Sequence, residues 1–137
     1  MSEIVSKITR IDGLYHAKRC TADELKKAQE ALGLKFPKEF SDYVIEFGSI
    51  SFYGTEWTGL NVTGYLNVVE ATLQERSFDP DFPSDCFVIE DQHIDGVVTA
   101  VDESGHVFTV QYGKKALLCN SLSEYLDLCI ARKESRE

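Results

Sequence analysis

The sequence predicts an α+β fold: one domain over residues 1–137, with an N-terminal helical pair, a middle helix and a C-terminal helix packed on an antiparallel or mixed sheet of about five to six strands. Three observations carry that prediction. Capped segments with helical spacing stand near both ends of the chain. Between them, short apolar segments follow one another across tight turns from Cys86 to Cys119. Finally, 137 residues with 43% hydrophobic and 27% charged content are enough to build one core beneath a soluble surface.

The first helix begins at Thr21. Thr21 and Glu24 have the spacing of a capping box, in which each side chain satisfies a backbone N–H that the first turn leaves unpaired. Leu25, Ala28, Ala31 and Leu32 follow at helical spacing, and Gly33 can take the left-handed conformation that closes a helix. Pro37 suits the start of a second helix, whose Phe40, Tyr43, Val44 and Phe47 form an apolar stripe before Gly48. Beyond Gly48 the period shortens, with Ile50, Phe52 and the segment Trp57 to Leu60 as short strands. Leu66 to Arg76 returns to helical spacing through Leu66, Val69 and Leu73, and Pro80 and Pro83 then impose a loop from Asp79 to Ser84. Cys86–Ile89, Gly96–Val101, Val107–Tyr112 and Ala116–Cys119 read as four successive strands, and their short connections make them antiparallel neighbours. Ser121 and Glu124 repeat the capping box for a last helix to Lys133, with Leu122, Tyr125, Leu126, Cys129 and Ile130 on one face.

The segment Thr21–Gly48 resembles the N-terminal motif of the SMI1/KNR4 family, also called the SUKH superfamily. The carrying residues are Leu32-Gly33, Phe36-Pro37 and the aromatic helix Phe40 to Gly48. The resemblance extends through Trp57 and Gly59, the acid-bearing strand Val88-Ile89-Glu90-Asp91 and the helix after Ser121-Leu122. Gly48-Ser49 stands where many members have Asn-Gly, and Phe36 where Leu is commoner. Bacterial members are mostly immunity proteins, which occlude the toxin domains, often nucleases, of contact-dependent or polymorphic toxin systems. Fungal members resemble regulatory hubs of cell-wall synthesis. The resemblance thus implies a non-catalytic protein-binding module whose partner is a cognate toxin domain, with a regulatory scaffold as the alternative and a small-ligand binder as the third reading.

Charge bears on the partner. The net charge is −9, and Asp79, Asp81, Asp85, Glu90, Asp91, Asp95, Asp102 and Glu103 fall in a stretch from Ser77 to Gly113 that holds no Lys or Arg. Such a single-sign field speeds encounter with a basic partner and repels phosphate backbones, which argues against direct nucleic-acid binding. The same acids are equally compatible with a merely soluble surface. Glu56, Trp57, Asp79, Asp81, Asp85, Glu90, Asp91 and Asp95 are the partner-binding candidates, although a lone tryptophan such as Trp57 is more often a core residue.

Other chemistries find little support. Asp79, Asp81 and Asp85 lack the spacing of a calcium loop, because Pro83 stands at the third ligand position and Ser84 at the required glycine. His16, His93 and His106 are too scattered for a zinc motif, so neither a metal nor another cofactor is expected. No nucleophile elbow, phosphate loop or dinucleotide fingerprint occurs, so no catalytic residue is assigned and no enzyme is expected. Glu90 and Asp91 cannot serve as an acid–base pair, since neighbours on a strand point to opposite faces. Cys20, Cys86, Cys119 and Cys129 form no C-x-x-C pair and read as buried, reduced thiols. The N-terminus lacks the apolar run of a signal peptide, and no stretch approaches the roughly 20 apolar residues of a membrane span, so a cytoplasmic protein without membrane contact is expected.

Overall fold

The computed structural model describes residues 2–94 and 96–136, with backbone alone for residues 93, 94 and 133–136. The helices are α1 (Glu3–Thr9), α2 (Ala22–Leu32), α3 (Lys38–Phe47), α4 (Val68–Phe78) and α5 (Leu122–Arg136). The strands are β1 (Tyr15–His16), β2 (Ile50–Phe52), β3 (Thr55–Trp57), β4 (Cys86–Ile94), β5 (Val97–Asp102), β6 (Val107–Gln111) and β7 (Lys114–Cys119). The fold is α+β, and the strands divide between two antiparallel sheets of order β1-β2-β3 and β4-β5-β6-β7. Helix α1 and strand β1 have no counterpart among the predicted elements.

The helical pair forms as its caps dictate. Thr21 Oγ1 accepts the Glu24 N–H at 3.1 Å and Glu24 accepts the Thr21 N–H at 2.9 Å, while Gly33 closes α2 at φ +67°. Phe40, Tyr43, Val44 and Phe47 are all buried on one face of α3. Gly48 then passes so close to Gly59 that a Cβ on Gly59 would overlap the Gly48 carbonyl, and the Leu60 N–H donates to that carbonyl at 2.8 Å. The expected strand through Leu60 therefore ends at Trp57, because Gly59 and Leu60 give their hydrogen bonds to other segments.

Helix α4 differs from expectation in its start and in its buried face. Gly64–Leu66 is a single 3-10 turn, and Asn67 caps α4 by accepting from the Val69 and Glu70 N–H groups at 2.9 and 3.0 Å. Val68 and Thr72 face inward, whereas Leu73 is exposed. The rotation follows from a hydrogen bond invisible to periodicity: the buried Thr72 Oγ1 accepts the Val88 N–H at 3.0 Å. Thr58 binds the same edge of β4, donating from its hydroxyl to the Val88 carbonyl at 2.7 Å and from its N–H to the Ile89 carbonyl at 2.8 Å. Two threonines thus satisfy an edge that would otherwise invite strand addition.

At the far end, Ser121 Oγ accepts the Glu124 N–H at 3.1 Å, and the Glu124 side chain reaches one residue further back, to the Asn120 N–H at 3.0 Å. Glu39 of α3 completes the cap by accepting from the Leu122 and Ser123 N–H groups at 2.9 and 3.2 Å, so one carboxylate joins the two helices. The main core draws on every helix and on every strand except β1. An aromatic chain runs through it from Phe36 to Phe40, Tyr43, Trp57 and Tyr125, with successive ring centroids 4.6, 5.6, 5.4 and 5.9 Å apart. A smaller cluster of Phe82, Cys86, Val88, Val98, Ala100 and Val110 covers the other face of the four-stranded sheet. All four cysteines are buried and form no disulfide, and burial pushes the Cys86 thiol up to about 12. No described helix is long and apolar enough to cross a membrane.

Candidate functional site

The acidic stretch does not form one uniform face, because its residues hold different jobs. Asp102 Oδ1 accepts the Ser104 and His106 N–H groups at 3.0 and 2.9 Å and so closes the turn between β5 and β6. Glu103 accepts the Lys35 N–H at 2.8 Å, tying that turn to the link between α2 and α3. Asp79 Oδ1 accepts the Asp81 N–H at 3.0 Å, shaping the proline loop, on which Asp81 and Asp85 are exposed. A hollow beside this loop holds Asp79, Asp85 and Glu103, and it contains a cation too: Arg76, whose Nη2 donates to the Ser84 carbonyl at 3.3 Å. Asp95 lies outside the described residues.

Glu90 and Asp91 separate at a β-bulge. The register of β4 on β5 runs Phe87↔Val101, Val88↔Ala100 and then Glu90↔Thr99, so Ile89 is an extra residue. An inserted residue turns the following side chains over. Glu90 therefore shares the main-core side with Phe87 and Val101, where it is 6% exposed. A buried carboxylate needs a counter-charge and donors. Arg132 provides both, its Nη1 lying 3.1 and 3.0 Å from the two Glu90 oxygens, and the Tyr125 hydroxyl donates to Glu90 as well. Arg132 Nη2 donates to the Tyr125 oxygen at 3.0 Å, and its guanidinium lies 5.6 Å from the Tyr125 ring centroid. Burial, and then the charges of Cys129 and Glu90, push the Tyr125 phenol well above its ordinary value, which keeps it a proton donor. Trp57 stacks on Tyr125 and is fully buried. Two of the sequence candidates, Trp57 and Glu90, thus face inward and present no surface.

Asp91 faces the other way, into an open cleft of about 280 Å³ between α4, the preceding 3-10 turn and the β4–β5 hairpin. Ala71, Val88 and Val98 supply apolar lining, Tyr65 and Phe78 are aromatic, and Glu75 and Asp91 are acidic. Tyr65 is 47% exposed and Phe78 74%. Tyr112, 61% exposed, lies against Gly96, which also lines the cleft. From β3, both Glu56 carboxylate oxygens accept from the Tyr65 hydroxyl at 3.1 Å. Negative charge accumulates here: burial, then Asp91 and Asp79, hold the Glu75 carboxyl above its ordinary range. The Tyr65 phenol is raised as well, first by its hydrogen bond to Glu56. Among the described residues, no Lys or Arg lines the cleft.

The site therefore gathers Glu56 and Asp91 from the sequence candidates and adds Tyr65, Glu75, Phe78 and Tyr112. A faint signal marked Phe78, an aromatic that falls off the apolar stripe immediately before the proline loop. Tyr65 carried none, because the glycine before it reads only as a turn. Among the described residues, no group of three or more His, Cys, Asp or Glu side chains is placed to hold a metal ion.

None of the curated proteins compared with the chain matches it significantly. The family model SUKH_5, described as SMI1-KNR4 cell-wall, matches residues 1–130, from before α1 to well inside α5. The capped helices and aromatic stripe that carried the resemblance are present, the match covers nearly the whole sequence, and the chain belongs to the SMI1/KNR4 (SUKH) family.

Proposed function

We propose that this chain is a non-catalytic, cytoplasmic protein-binding module, an immunity protein that neutralises a cognate toxin domain by occluding it. Membership of the SMI1/KNR4 family over residues 1–130 carries the reading. The surface supports it: with a net charge of −9, a carboxylate-lined cleft and exposed aromatics, it suits a basic protein partner and repels phosphate. Asp79, Asp81 and Asp85 on the proline loop and Glu56 and Asp91 at the cleft are the accessible members of the proposed interface.

Co-expression with a toxin domain found encoded beside this gene tests the proposal. Survival of the cells, together with a nanomolar complex by calorimetry, is the expected result. Killing undiminished by this chain, with no complex detected, removes the immunity reading for that pair. The cell-wall description of the family favours a regulatory scaffold as the second reading. It predicts several weak partners in place of one tight one, which affinity capture followed by calorimetry distinguishes.

A further inference from the structure

We infer that the open edge of β7 is a self-association site, at which a second copy of the chain adds its own β7 antiparallel about a two-fold axis at Ala116 and joins the two four-stranded sheets into one. This surface is separate from the acidic loop and cleft, and its use is independent of the immunity reading.

The fold treats the two edges of this sheet differently. On β4, Thr58 and Thr72 take up the outward groups of Val88 and Ile89. On β7, Lys114 to Leu118 are all exposed, and among the described residues no strand pairs with the outer side. Tyr112 and Gly113, at φ +50° and +78°, form the two-residue turn between β6 and β7. The residues flanking such a turn, Gln111 and Lys114, form a hydrogen-bonded pair, and bonded and non-bonded pairs then alternate. Ala116 therefore turns its N–H and C=O toward β6, whereas Lys115 and Leu117 turn theirs to the open edge. Leucines flank the site: Leu117 is 60% exposed and Leu118 40%.

Charge and shape select a second copy as the occupant. With the axis at Ala116, Lys115 faces the partner's Leu117, and the pair exchanges both hydrogen bonds on each side of the axis. The central pair is alanine on alanine, small enough for the close approach of a non-bonded pair, and no lysine stands opposite a lysine. Val107 and Cys119 belong to the main core, so alternation puts Lys114 and Ala116 on the face that carries α5. Glu124, in the first turn of α5, accepts the Asn120 N–H at 3.0 Å, which sets an exposed carboxylate at the C-terminal end of β7. Antiparallel pairing brings the partner's Lys114 opposite Leu118, beside that carboxylate, and does so twice. β7 thus supplies its own complement. Lysines on an edge commonly keep strands away. Lys115 instead lies back over its own sheet, its Nζ 4.5 Å from the Phe108 ring centroid, and leaves the edge clear.

Sedimentation velocity on the full chain, from about 10 μM to about 1 mM, should show a concentration-dependent equilibrium between monomer and dimer, as expected of a small interface. Leu117→Pro removes an N–H that faces away from β6, a place where an edge strand tolerates proline, and should weaken the dimer at least about tenfold. Lys114→Glu should weaken it several-fold. Thermal melts confirm that each variant is folded. The register has its own test, which stands even if Leu117→Pro fails to fold: Ala116→Cys places two thiols across the axis at the spacing of a non-bonded pair, which a disulfide can bridge. Mild oxidation should therefore cross-link Ala116→Cys, and neither Lys114→Cys nor the unaltered chain, whose own thiols are buried. A chain that stays monomeric at about 1 mM, a dimer untouched by a folded Leu117→Pro, or equal cross-linking of the two cysteine variants overturns self-pairing at β7. So does a β7 whose amides gain protection from hydrogen exchange only when a different protein is added.

Discussion

Glu90 and Asp91 are sequence neighbours with opposite fates, and the two regions they enter invite comparison. On the main-core side, Glu90 is enclosed with Arg132, Tyr125, Thr99 and Gln92, and each polar group finds a partner. On the other side, Asp91 enters an open cleft that it shares with Tyr65, Glu75 and Phe78. The chemical groups are alike; what differs is burial, since Glu90 is enclosed and Asp91 is exposed. The inner set uses its carboxylate to fix α5 to the sheet, and the outer set stands open to solvent. How deeply a carboxylate is buried decides how much of its charge the fold itself must compensate.

The largest expected effect tests the inner half of that comparison. Glu90→Gln keeps the shape but leaves Arg132, whose side chain is 27% exposed, without its charge partner. A cost of about 2–4 kcal/mol in urea unfolding is expected, at the lower end for a fully buried pair because Arg132 keeps some water. Asp91→Asn should change stability by less than about 0.5 kcal/mol, as surface substitutions usually do. Equal effects of the two would erase the distinction between the regions.

A smaller effect sharpens it. In a double-mutant cycle of Glu90→Gln and Arg132→Met, the second substitution should cost less once the first is made, with a coupling of about 1–2 kcal/mol. Zero coupling would mean that Arg132 stabilises α5 through its stem packed on Tyr125 and not through its charge.

Much of the fold was legible because its signals are local. The caps at Thr21 and Ser121, the stop at Gly33 and the stripe from Phe40 to Phe47 each lie within one helix, and the strands after Cys86 are set apart by short turns. What was not legible depends on distant partners. β1 is two residues long and exists through pairing with β2. The rotation of α4 is set by Thr72 meeting Val88, and the division into two sheets by Thr58 meeting the β4 edge. For the site, the run of acids was plain and so were the opposite faces of Glu90 and Asp91. Which of the two turns inward was not, because a bulge at Ile89 leaves no mark in an apolar run, and the cation that claims Glu90 lies on the last helix.

The smallest expected effect tests whether the cleft is held under electrostatic strain in the free protein. The folded state raises the Glu75 pKa above its ordinary value of 4.5, through burial and the charges of Asp91 and Asp79. Between that ordinary value and the raised one, the native state holds more of this proton than the unfolded chain, so stability falls as pH rises through the window. Above it the penalty is complete, and below the ordinary value it vanishes. Glu75→Gln should therefore raise the melting temperature by about 1–3 °C at pH 7, with the gain shrinking to nothing as the pH is lowered toward 4. The Asp91→Asn background should reduce the gain, since one of the repelling charges is then absent. A site kept for binding at some expense of stability behaves this way. A Glu75→Gln variant that is less stable at pH 7, or whose gain persists at low pH, would instead assign Glu75 an intramolecular role and align the cleft with the Glu90 set.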